Sequence, residues 1–249
     1  MTSKIKILYL AANPRDTSHI RLQEEAREMD YRLRQSLQRD AFEFVHYLAA
    51  RPRDLLRGLQ EVEPHILHFS GHGTKNQEIL LEANDGSGQP VAPRDLAELV
   101  GLFNTNLKVA VLSCCFARKQ AKALHQVLDF TMGAAKPISD AGAVSFSANF
   151  YQVLGSGGSI KQAFGAARLI TNIEGRKIFE TSDLLIREGA NADEPFIKLL
   201  TLTPQPEKIV SNPSPLEGGA IQQIEQSEVG IAKVVTGNHH TIHSTYNSK

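Results

Sequence analysis

The sequence predicts an α/β fold in which a mainly parallel sheet is covered by helices on both faces, with a short tail beyond it. Two patterns carry that reading. Short apolar runs bounded by turn residues alternate with segments of helical periodicity, the signature of strand–helix–strand units. Strands buried on both faces read as continuous apolar runs, as in Ile66-Leu67-His68-Phe69 and Val109-Ala110-Val111-Leu112. A third observation bears on function. His72 and Cys115 each follow one of those runs, where a buried strand ends and a loop opens.

The elements follow in order. Residues 4–12 form a first strand, with Ile5, Ile7, Leu8 and Leu10 stopped by Asn13-Pro14. Leu22, Ala26, Met29, Leu33 and Leu37 recur at helical spacing. Residues 42–48 alternate as a second strand, and Pro52 opens a short helix carrying Leu55, Leu56 and Leu59, since proline is tolerated in a first turn. Residues 65–70 are the third strand. Ile79-Leu80-Leu81 and Val91 flank Asn84-Asp85-Gly86-Ser87-Gly88 as a β-hairpin excursion. Residues 93–103 are helical, 107–112 a strand, 117–125 helical and 130–135 a fifth strand. Helices follow at 140–154 and 159–173, and residues 195–203 add a last strand.

Composition then breaks. Thr203-Pro204-Gln205-Pro206, Pro213, Pro215, Gly218 and Gly219 mark residues 203–220 as a linker between a domain at 1–202 and a tail at 221–249. Lys plus Arg equals Asp plus Glu at 27 each, which argues against nucleic acid or a membrane surface as partner. No apolar stretch is long enough to span a bilayer and the opening residues are no signal peptide. Cys114 and Cys115 are adjacent, which excludes an ordinary disulfide between them and suits a cytoplasmic protein with reduced thiols.

Cysteine catalysis needs a thiolate and an imidazole that takes its proton, brought together by the fold. Cys115 falls before a helix whose first amides would favour the thiolate. Its rival Cys114 turns to the opposite side by strand parity and packs inward. Among the nine histidines, His72 stands apart because Gly71 and Gly73 flank it, and Gly73 offers an unobstructed amide to an oxyanion. His65 and His68 lie inside a strand, satisfied by packing and backbone bonds; His46 and His125 read as ordinary surface or helix residues. A zinc site from Cys114, Cys115 and nearby histidines lacks the usual ligand spacing, so no metal or cofactor is expected. Gly155-Ser156-Gly157-Gly158-Ser159 follows a helix and lacks the Gly-Lys-Ser/Thr ending of a phosphate loop; it reads as a connector with Ser159 capping the next helix.

Residues 4–200 resemble the CHAT branch of the caspase-like (clan CD) peptidases. The segments that carry the resemblance are Ile-Leu-Tyr-Leu-Ala-Ala-Asn-Pro, Arg-Pro-Arg-Asp-Leu, His-Ile-Leu-His-Phe-Ser-Gly-His-Gly and Val-Leu-Ser-Cys-Cys-Phe-Ala-Arg-Lys-Gln-Ala. A histidine roughly 50 residues upstream of the cysteine also fits the caspase order. The resemblance implies a caspase-like three-layer sandwich and a cysteine endopeptidase with protein substrates. It aligns the family's Asn-Ala-Cys with Ser113-Cys114-Cys115, which makes Cys115 the nucleophile and His72 its base, with the Gly73 and Cys115 amides as oxyanion donors. It also puts Asp140 in the substrate pocket for a basic P1 residue; the residues alone read Ser139-Asp140 as a helix N-cap, and one residue can do both.

The tail segments Ile221-Gln-Gln-Ile224 and Val229-Gly-Ile231-Ala-Lys-Val234-Val235 are β-prone and weakly charged. They resemble the terminal amyloid-type signalling motifs of bacterial immune effectors, which implies a defence or cell-death role, with an upstream immune receptor or self-assembly through residues 221–245 as the partner. The plain alternative is a disordered tail. A second class of function is a non-catalytic adaptor of the same fold that recruits partners through the tail.

Overall fold

The computed structural model describes residues 4–104, 106–176 and 183–201. The chain divides into units Met1–Gln205 and Pro206–Lys249. The whole of the expected linker at 203–220 and of the tail at 221–249 lies outside the described residues.

Strand β1 (Ile5–Ala11) lies inside a six-stranded sheet, flanked by β2 (Phe42–Leu48) and β3 (Ile66–Ser70). Beyond β3 come β6 (Val109–Ser113), β7 (Phe130–Gly133) and β8 (Asp183–Ile186), giving the order β2-β1-β3-β6-β7-β8. Every neighbour is parallel except β8, which runs antiparallel to β7. Strands β4 (Ile79–Glu82) and β5 (Gly88–Val91) form the separate antiparallel hairpin expected between β3 and the next helix.

Strand parity sorts the sheet into two cores. Ile5, Ile7, Tyr9, Ile66, Val109 and Val111 face one layer, α1 (Leu22–Gln35), α5 (Asp140–Gly155) and α6 (Ile160–Ile173). Leu8, Leu10, Leu67, Phe69, Ala110 and Leu112 face the other, α2 (Pro52–Arg57), α3 (Pro93–Phe103) and α4 (Arg118–Leu124). This is the three-layer sandwich. On the first side Phe146 stacks on Phe150 and meets Phe164 edge-on, both at 5.9 Å between ring centroids. Truncating such a buried aromatic typically costs about 3–5 kcal/mol.

Local signals set the helix ends. The hydroxyl of Ser139 accepts the Gly142 N–H at the start of α5. Ser159 and Gln162 form a reciprocal capping box on α6, with bonds of 3.1 and 3.0 Å, as the connector reading implied. Helix α1 carries Glu24 and Glu25 in its first turn and Arg32 and Arg34 in its last, complementing its dipole.

The last sheet element is a correction. Residues 195–203 were expected to be a strand, but Phe196–Thr201 is helix α7, and the last strand is β8. A short apolar run after a proline is ambiguous between the two states. Pro195 accepts the Lys198 N–H in a first helical turn, and Phe196 enters the α5–α6 core fully buried.

Candidate active site

The chain leaves β1 for β2 on one side and returns to β3 on the other, so the connections diverge between β1 and β3. Clefts form outside the carboxyl ends of strands at such a switch point. A cavity of about 170 Å³ lies there, reached by the loops after β1, β3 and β6 and by the start of α5. Ser18, His72, Cys115 and Asp140 all line it.

Register explains why His72 and Cys115 meet. Ser70 and Ser113 are partners at the ends of the parallel pair β3–β6, and both side chains are buried on the α1–α5 side. Two residues further on, the same parity returns His72 and Cys115 to that side. Gly71 N–H donates to the Ser113 carbonyl at 3.4 Å, and Leu80 N–H from the hairpin donates to the His72 carbonyl at 3.0 Å. Gly73 then lies directly against Cys115: a Cβ built on it would fall 1.9 Å from the Cys115 carbonyl oxygen. Only a glycine lets the two loops come this close.

The His72 ring is oriented by the backbone. Its Nε2 lies 2.8 Å from the Ser18 carbonyl oxygen. A carbonyl only accepts, so Nε2 carries the proton and, in the neutral ring, Nδ1 holds the lone pair. Ser18 gave no sequence signal, because the contact uses its main chain.

The two cysteines separate as parity requires. Cys114 is buried in the second core, and burial, followed by the nearby Cys115, holds its thiol far above the ordinary value. Cys115 is half-buried at the cavity. Helix α4 begins at Arg118, one residue later than the sequence implies, and the Lys119 N–H donates to the Gln77 side chain at 3.1 Å. The turn between holds Phe116 in left-handed backbone, φ 56°, a conformation that side chains other than glycine adopt at a cost.

Asp140 is the first residue of α5 and Ser139 its N-cap, so the cap and the pocket wall are neighbouring residues. His65 accepts the Lys6 N–H at Nδ1, 3.0 Å away; burial, then the Lys6 charge, lowers its pKa to about 4. His68 corrects the expectation of backbone bonds. Its Nδ1 lies 3.0 Å from the Tyr151 hydroxyl, and its Nε2 lies 3.5 Å from Glu25 Oε1, in ion-pair range though not aligned as a hydrogen bond.

Glu25 is the residue the sequence reading missed. It is 2% exposed on α1 and lines the cavity. Its carboxylate accepts hydroxyls from Tyr9 at 3.2 Å, from Ser147 and from Ser70, which joins α1 to β1, α5 and the end of β3. Burial pushes its pKa up, but His68 and the Ser147 and Ser70 hydroxyls outweigh that and hold it below the ordinary value. Burial also raises the Tyr9 and Tyr151 phenols, with the Glu25 charge adding to it. Among the described residues no cluster of ligating side chains is arranged for a metal.

The fold is that of the caspase-like cysteine proteases, with a histidine and a cysteine at adjoining strand ends. It is similar to a secreted C11 cysteine protease from Bacteroides thetaiotaomicron, solved with an irreversible peptide inhibitor (TM-score 0.53, 12% identity, 68% of this chain and 58% of that one). It is also similar to the Arg-specific cysteine proteinase gingipain R (TM-score 0.52, 10% identity, 75% and 47%). The CHAT domain model matches residues 7–178, and the chain belongs to that family. Curated relatives are a "Probable protease" of Gillisia limnaea, 25% identical over 153 residues, and a "Roc-COR-CHAT protease" from an unknown prokaryotic organism, 23% identical over 156 residues. The matches cover 61% and 60% of this chain but only 27% and 15% of those proteins. No described helix is long and apolar enough to cross a membrane.

Proposed function

We propose that the chain is a cysteine endopeptidase in which Cys115 is the nucleophile and His72 the general base. The observation that carries this reading is the shared cavity, with the His72 ring held through Nε2 by the Ser18 carbonyl. His72 Nδ1 takes the Cys115 thiol proton, and the thiolate attacks the scissile carbonyl carbon. The Gly73 and Cys115 amides receive the oxyanion. The intermediate collapses by breaking the C–N bond, His72 protonates the leaving amine, and water cleaves the thioester to release the acid and restore the thiol.

Asp140 faces the cavity as a carboxylate for a basic P1 side chain. The biological role is that of a proteolytic effector in bacterial defence or regulated cell death, addressed by a receptor or by self-assembly through residues 221–245. That part rests on the family resemblance and on the composition of the tail. The test compares peptide reporters ending in Arg, Lys and Asp with wild-type and Cys115→Ala protein. Cleavage after Arg or Lys that is lost in Cys115→Ala supports the reading; cleavage after Asp alone sinks the basic pocket, and full biological effect in Cys115→Ala would favour the adaptor role.

A further inference from the structure

His72 is held at two points, and both trace back to one element, the β4–β5 hairpin. On the main chain, the Leu80 N–H of β4 donates to the His72 carbonyl at 3.0 Å, and Gly73 bridges antiparallel to Ile79. On the ring, Nε2 meets the Ser18 carbonyl at 2.8 Å. Ser18 is exposed and lies between β1 and α1, outside any helix or strand. An exposed loop carbonyl can keep an imidazole in one orientation only if the loop is itself held.

Three bonds to the hairpin hold it. Asn13 N–H donates to Glu82 Oε1 at the end of β4, Arg15 N–H donates to the Gly86 carbonyl in the tip, and Gly88 N–H at the start of β5 donates to Asp16 Oδ1, each at 2.9 Å. The fit at the tip is close. Gly86 is left-handed at φ 84°, and a Cβ built there would fall 2.8 Å from Arg15 Nε. Within the loop, the Thr17 N–H and hydroxyl both return to the Pro14 carbonyl, at 3.0 and 2.7 Å, so the turn carries Ser18 along with it. Asp16 and Glu82 are the two side chains in these contacts. Asp16 is nearer to Ser18 and is exposed, whereas Glu82 is half-buried.

Resting on the His72–Cys115 reading above, we propose that Asp16 is a positioning residue for His72. Its carboxylate locks the turn at residues 13–18 onto the hairpin, and the Ser18 carbonyl thereby keeps the His72 ring with Nδ1 available to Cys115. The hairpin is then a frame that sets both the main chain and the ring of the base. Losing the Asp16 bond frees the turn and gives the ring other orientations, so fewer molecules have Nδ1 poised to take the thiol proton. The loss is one of orientation and not of folding, because Asp16 is exposed and outside both cores.

Alkylation of Cys115 by iodoacetamide at pH 7, followed by peptide mapping, tests this without a peptide substrate. His72 takes the thiol proton and the thiolate displaces iodide. The comparison is of wild type, His72→Ala, Asp16→Ala and Asp16→Asn. Asp16→Ala slows the alkylation about tenfold, less than the roughly 100-fold of a 1 Å misplacement. Asp16→Asn keeps an acceptor oxygen for the Gly88 N–H and stays within about twofold of wild type. Both variants melt within about 2 °C of wild type, as surface substitutions do. If His72→Ala is slow, three results overturn the positioning role and leave the dyad standing: a wild-type rate in Asp16→Ala, no rescue by Asp16→Asn, or a melting temperature that falls in step with the rate. If His72→Ala alkylates as fast as wild type, the dyad itself fails, and the positioning role falls with it.

Discussion

Gly73 and the Cys115 carbonyl oxygen stand so close that no side chain fits between them; a Cβ at 73 would sit 1.9 Å from that oxygen. The loop after β3 and the loop after β6 are therefore held in register by a contact that only backbone can make. A Gly73→Ala variant must push the Cys115 turn aside. A displacement near 1 Å in such a site costs roughly 100-fold in rate. The expected result is a loss of that order in kcat/KM with far-ultraviolet circular dichroism unchanged; wild-type activity would contradict the contact.

Phe116 follows Cys115 in left-handed backbone at φ 56°. Comparing Phe116→Ala with Phe116→Gly removes the same ring and isolates the backbone. The glycine variant is expected to be more stable by about 1 kcal/mol, as read from urea midpoints at constant slope, because alanine retains the steric cost at positive φ.

Glu25 collects hydroxyls from Tyr9, Ser70 and Ser147 and faces His68. Glu25→Ala removes a shared acceptor: Tyr9 keeps the Leu22 carbonyl at 3.1 Å and Ser70 the Ser113 carbonyl at 3.4 Å, while the Ser147 hydroxyl loses Glu25 as its acceptor. Each hydrogen bond lost to a buried charged acceptor typically costs about 1.5–3 kcal/mol. Chemical denaturation of Glu25→Ala against wild type measures that loss, and Glu25→Gln, which keeps one acceptor oxygen, is expected to lose less.

His65 makes stability pH-dependent. Its folded pKa is lowered to about 4, first by burial and then by Lys6, while the unfolded chain titrates near the ordinary value of 6.5. Between those values the unfolded state binds the proton and the folded state does not, so this group's contribution is fully present above pH 6.5 and is lost as pH falls toward 4. The loss is at most about 3 kcal/mol. Urea midpoints at pH 7 and pH 5 should differ more in wild type than in His65→Asn.

Much of this was legible in the sequence because strand parity is visible there. The alternation that buries Leu112 and Cys114 together also delivers Cys115 to the other face, and the apolar runs before His72 and Cys115 locate both strand ends. Strand β8 was not legible, since four residues paired antiparallel at an edge carry little periodic signal. Ser18 acts through its carbonyl, which no side-chain pattern reports. Glu25 did leave a trace: it falls three residues after Leu22 and four before Met29, on the apolar stripe of α1. A charge on a buried stripe needs partners, and these come from β1, β3 and α5, which only the fold brings together.

The central claim is that Cys115 is the nucleophile and His72 activates it. Peptide mapping by mass spectrometry, after treatment with an irreversible peptidyl-arginine inhibitor, tests it most directly. The account predicts one adduct, on Cys115, that forms far more slowly in His72→Ala and at near wild-type rate in Cys114→Ala. Modification of Cys114 instead, or a Cys115 adduct formed equally fast without His72, would contradict it.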